Sequence, residues 1–113
     1  MHEMSLAESM IELVEAAAER AQAVVVRRVV LEVGQLASVD VAALQFCFEV
    51  VAKGGVARDA MLEIKVVAGQ GCCSDCGQTV ALPDRLAGCP ACGNYRVEPT
   101  AGTGLQVCEI EIE

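Results

Sequence analysis

The sequence predicts a small α+β fold. Two helices pack on a three-stranded sheet, and a metal-bound unit is inserted before the last strand. Three observations carry this. Two stretches place apolar residues at helical spacing, and three others alternate apolar with polar residues. Between the second and third alternating stretches, Cys73-Ser-Asp-Cys76 is followed after twelve residues by Cys89-Pro-Ala-Cys92. The 113 residues can bury one core. The short stretch around the cysteines cannot build a second by itself, and units of that size generally need a metal or disulfides.

In chain order, Ser5-Leu-Ala-Glu8 reads as a capping box that starts a helix over 6–22. Leu6, Met10, Leu13, Ala17 and Ala21 form its apolar stripe, and Glu8, Glu12, Glu15 and Glu19 its solvated face. Residues 24–33 are a β-branched run and read as a strand. Val25, Val29, Leu31 and Val33 share one face, while Arg28 and Glu32 fall on the other; Arg27 breaks the alternation at the start. Gly34 ends this strand. Ser38 or Asp40 caps a second helix carrying Ala43, Leu44, Cys47, Phe48 and Val51, which Gly54-Gly55 stops. A second strand covers 61–68, where Leu62, Ile64 and Val66 alternate with Glu63 and Lys65.

The closing strand, 105–113, changes phase: Leu105 and Val107 have one parity, Ile110 and Ile112 the other. A bulge near Cys108 and Glu109 would keep all four on the core face. The expected division is one α+β domain from 1–69 plus 102–113 and a zinc-ribbon-like domain over 70–101. Gly69, Gly71, Gly102 and Gly104 flank the insertion and predict a flexible joint.

Composition narrows the function. The net charge of −8 argues against a nucleic-acid partner, because phosphate backbones are bound by clustered Lys and Arg. It suits a basic or cationic partner instead. Seven cysteines without a signal peptide point to a reducing, cytoplasmic setting. The apolar runs Val24–Val26 and Val29–Leu31 are far too short to span a bilayer.

Two Cys-x-x-Cys knuckles at this separation can aim four thiolates at one point, the tetrahedral set that zinc prefers. The expected ligands are Cys73, Cys76, Cys89 and Cys92. Gly77, Gly88 and Gly93 supply the tight backbone, and Pro90 stiffens the second turn. Cys72 offers a second register, but a two-residue gap makes the usual knuckle, which favours Cys73. Cys47 and Cys108 fall at positions that read as core, and Tyr95 reads as packing. Four thiolates closed on one metal leave no position for a substrate, and no second histidine exists to serve as a base. An enzyme is therefore not expected. Iron in the same four-sulfur cage would show as visible colour.

The N-terminus is the second chemical feature. His2 is the single histidine. With Met1 retained, the α-amine, the His2 backbone nitrogen and the imidazole form fused chelate rings, to which Glu3 can add a carboxylate or backbone atom. Such a nitrogen-rich set suits Ni(II) or Cu(II), unlike the soft tetrahedral thiolates. Amine and imidazole must shed protons to bind, so nickel loading weakens as pH falls.

Taken together, Met1-His2-Glu3-Met4-Ser5-Leu6, Gln45-Phe46-Cys47-Phe48, the paired knuckles and the closing Leu105…Ile110-Glu111-Ile112 resemble the HypA/HybF family over the whole length. That resemblance implies a nickel metallochaperone for [NiFe]-hydrogenase maturation, with nickel at Met1, His2 and Glu3 as transient cargo. It also implies structural zinc at Cys73, Cys76, Cys89 and Cys92. The partners it implies are the GTPase HypB, the hydrogenase large subunit and, in some organisms, the urease maturation machinery. A zinc-ribbon adaptor that holds protein partners without carrying nickel is the alternative.

Overall fold

The computed structural model describes residues 2–113. The elements in chain order are α1 (Glu3–Arg20), β1 (Val26–Gly34), α2 (Val41–Ala52), β2 (Met61–Val67), β3 (Gln70–Cys73), β4 (Thr79–Ala81), β5 (Val97–Ala101) and β6 (Leu105–Ile112). They form an α+β architecture with two three-stranded sheets, ordered β2-β1-β6 and β4-β3-β5. The chain divides into two compact units. One is Met1–Leu31, Val39–Ile64 and Val107–Glu113; the other is Glu32–Ser38 with Lys65–Gln106.

In the first unit, α1 starts three residues earlier than its expected 6–22 span. The Leu6 N–H already donates to the His2 carbonyl at 2.9 Å, so the chain is helical through Ser5. Ser5 cannot then adopt the extended backbone that an N-cap needs. The buried stripe is Ala7, Met10, Ile11, Val14 and Ala18, with Glu3 at its head. Of the expected stripe only Met10 is buried; Leu13 is 59% exposed. Both stripes have helical period and each holds two alanines; packing chose the one in which the β-branched Ile11 and Val14 join Met10.

The second helix is capped by Asp40, whose Oδ1 accepts the Ala43 N–H at 3.1 Å. Leu44, Phe48 and Ala52 form its buried row. The helices run parallel: Glu3, at the start of α1, meets Asp40 at the start of α2, and Glu15 lies beside Gly55 just past the end of α2.

Strand β1 is central, between β2 and β6. Val29, Leu31 and Val33 are buried as the alternation predicts, but Val26 and Val30, of the opposite parity, are buried too. A central strand is covered more evenly than a half-solvated one. Arg28, on this second face, is held by acids from both neighbours: Glu63 of β2 at 2.9 Å, and Glu109 and Glu111 of β6 at 2.8 and 3.4 Å. In β6 the half-buried residues are Leu105, Val107 and Ile110, which preserves the expected change of phase, while Ile112 is exposed. Cys108 is exposed rather than core, its thiol donating to the Val30 carbonyl at 3.5 Å, and Cys47 is half-buried.

In the second unit, β3 pairs antiparallel with both β4 and β5. Cys73, Val80 and Cys89 make a small core against which Val97 packs. The glycines beside this unit serve close approach. The Gln35 N–H donates to the Val67 carbonyl at 2.8 Å and the Leu36 N–H to the Gly102 carbonyl at 2.7 Å. The Gln35 Oε1 accepts the Gly69 N–H at 2.8 Å. Gly102 has φ +74°, and a Cβ there would sit 2.6 Å from the Ala68 carbonyl oxygen. Three backbones are cross-tied where the glycine content alone predicts looseness.

Candidate metal centre

Each cysteine pair sits on the same hydrogen-bonded turn. In the first, the Gly77 N–H donates to the Cys73 carbonyl at 2.7 Å, and the Cys73 N–H to the Gln78 carbonyl at 3.0 Å. In the second, the Gly93 N–H donates to the Cys89 carbonyl at 2.7 Å, and the Cys89 N–H to the Asn94 carbonyl at 2.7 Å. Gly77 and Gly93 close the two turns at φ +74° and +80°, a region glycine enters at no steric cost. The repeat Cys-x-x-Cys-Gly thus writes one local structure twice, and β3, β4 and β5 carry the two copies toward each other.

The result is a cluster of Cys73, Cys76, Cys89 and Cys92 whose Sγ atoms all lie within 4.8 Å of one another. Cys73 Sγ and Cys92 Sγ are 3.6 Å apart, and Cys76 Sγ and Cys89 Sγ 3.7 Å. Four sulfurs tetrahedral about an ion at roughly 2.3 Å stand about 3.8 Å apart, so the spacing fits structural zinc. Cys73 and Cys89 are buried, while Cys76 and Cys92 close the cluster on its exposed side. Cys72 is not in the cluster. It pairs with Thr79 and Glu98 in the sheet, and strand alternation turns its side chain away from that of Cys73.

The thiols pull against one another. Burial pushes the Cys89 thiol up, but the N–H groups of Cys92 and Ala91 and the adjoining sulfurs outweigh it and bring it down to about 7. The Gln78 N–H lowers Cys76, yet burial and the sulfurs of Cys73, Cys89 and Cys92 push it up to about 12. A cage in which one sulfur ionises at its neighbours' expense is one that a divalent cation resolves, since it stabilises all four thiolates together.

The candidate nickel residues fall in the other unit. Met1 lies outside the described residues. His2 is the N-cap of α1 and is exposed, with no side-chain capping bond. Glu3 is largely buried, and its Oε2 accepts the Asp40 N–H at 3.2 Å. The bond from Asp40, with one from its own N–H, holds the Glu3 carboxyl below its usual range. In the sequence Asp40 reads only as a helix cap. Nothing local links it to Glu3, because the two are 37 residues apart.

A family model described as hydrogenase/urease nickel incorporation, metallochaperone, HypA matches residues 1–112. The chain belongs to the HypA family. HypA proteins similar to it include the hydrogenase maturation factor of Dechloromonas aromatica, 50% identical over 113 residues and covering all of both chains. That of Rhizobium leguminosarum bv. viciae is 50% identical over 112 residues, covering 99% of each. The solution structure of the nickel metallochaperone HypA from Helicobacter pylori superposes with a TM-score of 0.71 at 28% identity, covering 99% of this chain and 97% of that one. Membership places the chain among nickel metallochaperones of hydrogenase maturation, and the four-cysteine cluster fits the structural zinc expected of it. Among the described residues no helix is long and apolar enough to cross a membrane.

Proposed function

We propose that the protein carries Ni(II) at Met1, His2 and Glu3 and delivers it to the [NiFe]-hydrogenase large subunit, with a GTPase of the HypB type as partner. Urease maturation proteins are further partners in this reading. Zinc held by Cys73, Cys76, Cys89 and Cys92 is structural. In this reading 1–69 with 102–113 form the nickel-binding domain and 70–101 the zinc domain; the protein works in the cytoplasm and catalyses no reaction. The observation that carries it is the contrast between the two ligand sets. The thiolates form a closed cage with no open position. The imidazole of His2 stands exposed at the mouth of a helix whose first N–H groups have no intrahelical partner. A delivery site must release its ion, and only the second set is open enough to do so.

The test is a nickel titration of untagged protein beside His2→Ala and a variant with an N-terminal extension. Carriage predicts that both variants lose nickel binding and hydrogenase maturation while retaining zinc. If both keep full maturation activity, the protein is an adaptor and not a carrier.

A further inference from the structure

Glu8, Glu12, Glu15 and Glu19 follow one another at four- and three-residue spacing and occupy an arc of about 60° on α1, at 100° per residue. All four are exposed, and among the described residues none makes an ion pair. Like charges at this spacing repel along a helix, so the ridge works against the helix that carries it. Toward the end of the helix the ridge becomes one wall of a groove. Glu15 and Glu19 face Gly54, Gly55 and Val56 across about 500 Å³ of open space. Arg58 at its lip is already engaged, its Nη1 donating to the Gly55 carbonyl at 3.0 Å. On the outer row of the parallel α2, Phe46 and Val50 are 64% and 40% exposed at four-residue spacing.

Charge separates the two units as well. The first carries twelve acidic and five basic residues, a net −7, and the second four and three, a net −1, together the −8 of the chain. We propose that the outer face of α1 and α2 is a docking surface for a basic amphipathic helix of a partner protein. Its Lys or Arg side chains would lie along the glutamate ridge, one of them entering the groove, with its apolar row against Phe46 and Val50. A second copy of the chain would set acid against acid here. An anionic membrane or nucleic acid is repelled by the same charges. The inference does not depend on where nickel is held.

The probe is a synthetic helix with lysines on one face and leucines on the next, titrated into the zinc-loaded, isotope-labelled full chain and followed by NMR. Expected are saturable amide shifts at Glu8, Glu12, Glu15, Glu19, Gly54, Gly55 and Phe46. Glu15→Gln with Glu19→Gln should weaken binding about tenfold, the loss of roughly one charge-assisted contact. Phe46→Ala should weaken it too, and Glu98→Gln in the other unit should change nothing. Shifts scattered over every acidic surface would overturn the proposal. So would equal affinity for a peptide of the same charge with serines in place of leucines, or affinity unchanged in the double glutamine variant.

Discussion

The carboxylate of Glu3 accepts the backbone N–H of Asp40 at 3.2 Å, joining the first turn of α1 to the cap of α2. Glu3 directly follows the histidine proposed to hold nickel, so the contact that fastens the two helices also anchors the residue beside that imidazole. The sign of its pH dependence follows from the lowered Glu3 pKa. A carboxylate that titrates lower folded than unfolded stabilises the fold above its free value of 4.5, and that contribution is lost as pH falls through the folded value.

Glu3→Ala should therefore lower the melting temperature by a few degrees at neutral pH, the scale of one hydrogen bond in a small domain. The gap from the parent should shrink as pH falls from the free value of 4.5 through the lowered folded value, where the parent's carboxylate is itself protonated. Glu3→Gln can offer an amide oxygen to the same N–H and should recover much of the loss. Thermal melts of the three proteins at neutral and acid pH check this; a gap of constant size would show that the carboxylate charge is not involved.

What was readable in the sequence was local. The cysteine spacing, the paired glycines and the Asp40 cap each express their structure within a few residues. The phase of α1 was not, because Leu6, Met10 and Leu13 compete with Ala7, Met10, Ile11 and Val14 for the core. Ile11 and Val14 with Ala7 and Ala18 complete a helical stripe, and that was the available signal. The three short strands of the second unit carry little periodicity of their own; the two turns assemble them.

The two phases differ measurably. Ile11 is 5% exposed and Leu13 59%. Ile11→Ala should cost about 2–5 kcal/mol, and Leu13→Ala less than about 0.5 kcal/mol. Urea denaturation of each decides between them, and a larger loss at Leu13 would restore the stripe that the sequence first suggests.

Removing the metal should affect one unit selectively. Zinc in small thiolate sites contributes on the order of 10–16 kcal/mol of apparent binding, far more than a core of Cys73, Val80, Cys89 and Val97 supplies. With chelator, or in Cys73→Ser, the Cys73 and Cys89 amides now bonded to the Gln78 and Asn94 carbonyls should exchange freely. Trypsin should cut at Arg85 and Arg96. Helical circular dichroism should persist, because α1 and α2 contain no member of the cluster. Protected Cys73 and Cys89 amides after complete zinc removal would mean that the two turns hold without an ion.

Gly102 and Gly104 are two residues apart and make opposite predictions. Gly102 sits at φ +74°, where a side chain is strained, and a Cβ there also meets the Ala68 carbonyl and the Gly69 backbone. Neither neighbour can yield without breaking the hydrogen bonds that Gln35 and Leu36 make to this crossing. Gly102→Ala should therefore destabilise by more than the ~1–2 kcal/mol that left-handed backbone alone costs an alanine. Gly104 has open space where its Cβ would be and no such backbone demand. There alanine should be neutral or stabilise by about 0.4–1 kcal/mol, by restricting the unfolded chain. If the glycines serve mainly as a loose hinge, both substitutions should instead leave stability nearly unchanged. Denaturation midpoints of the two variants separate a tight backbone crossing from a flexible joint.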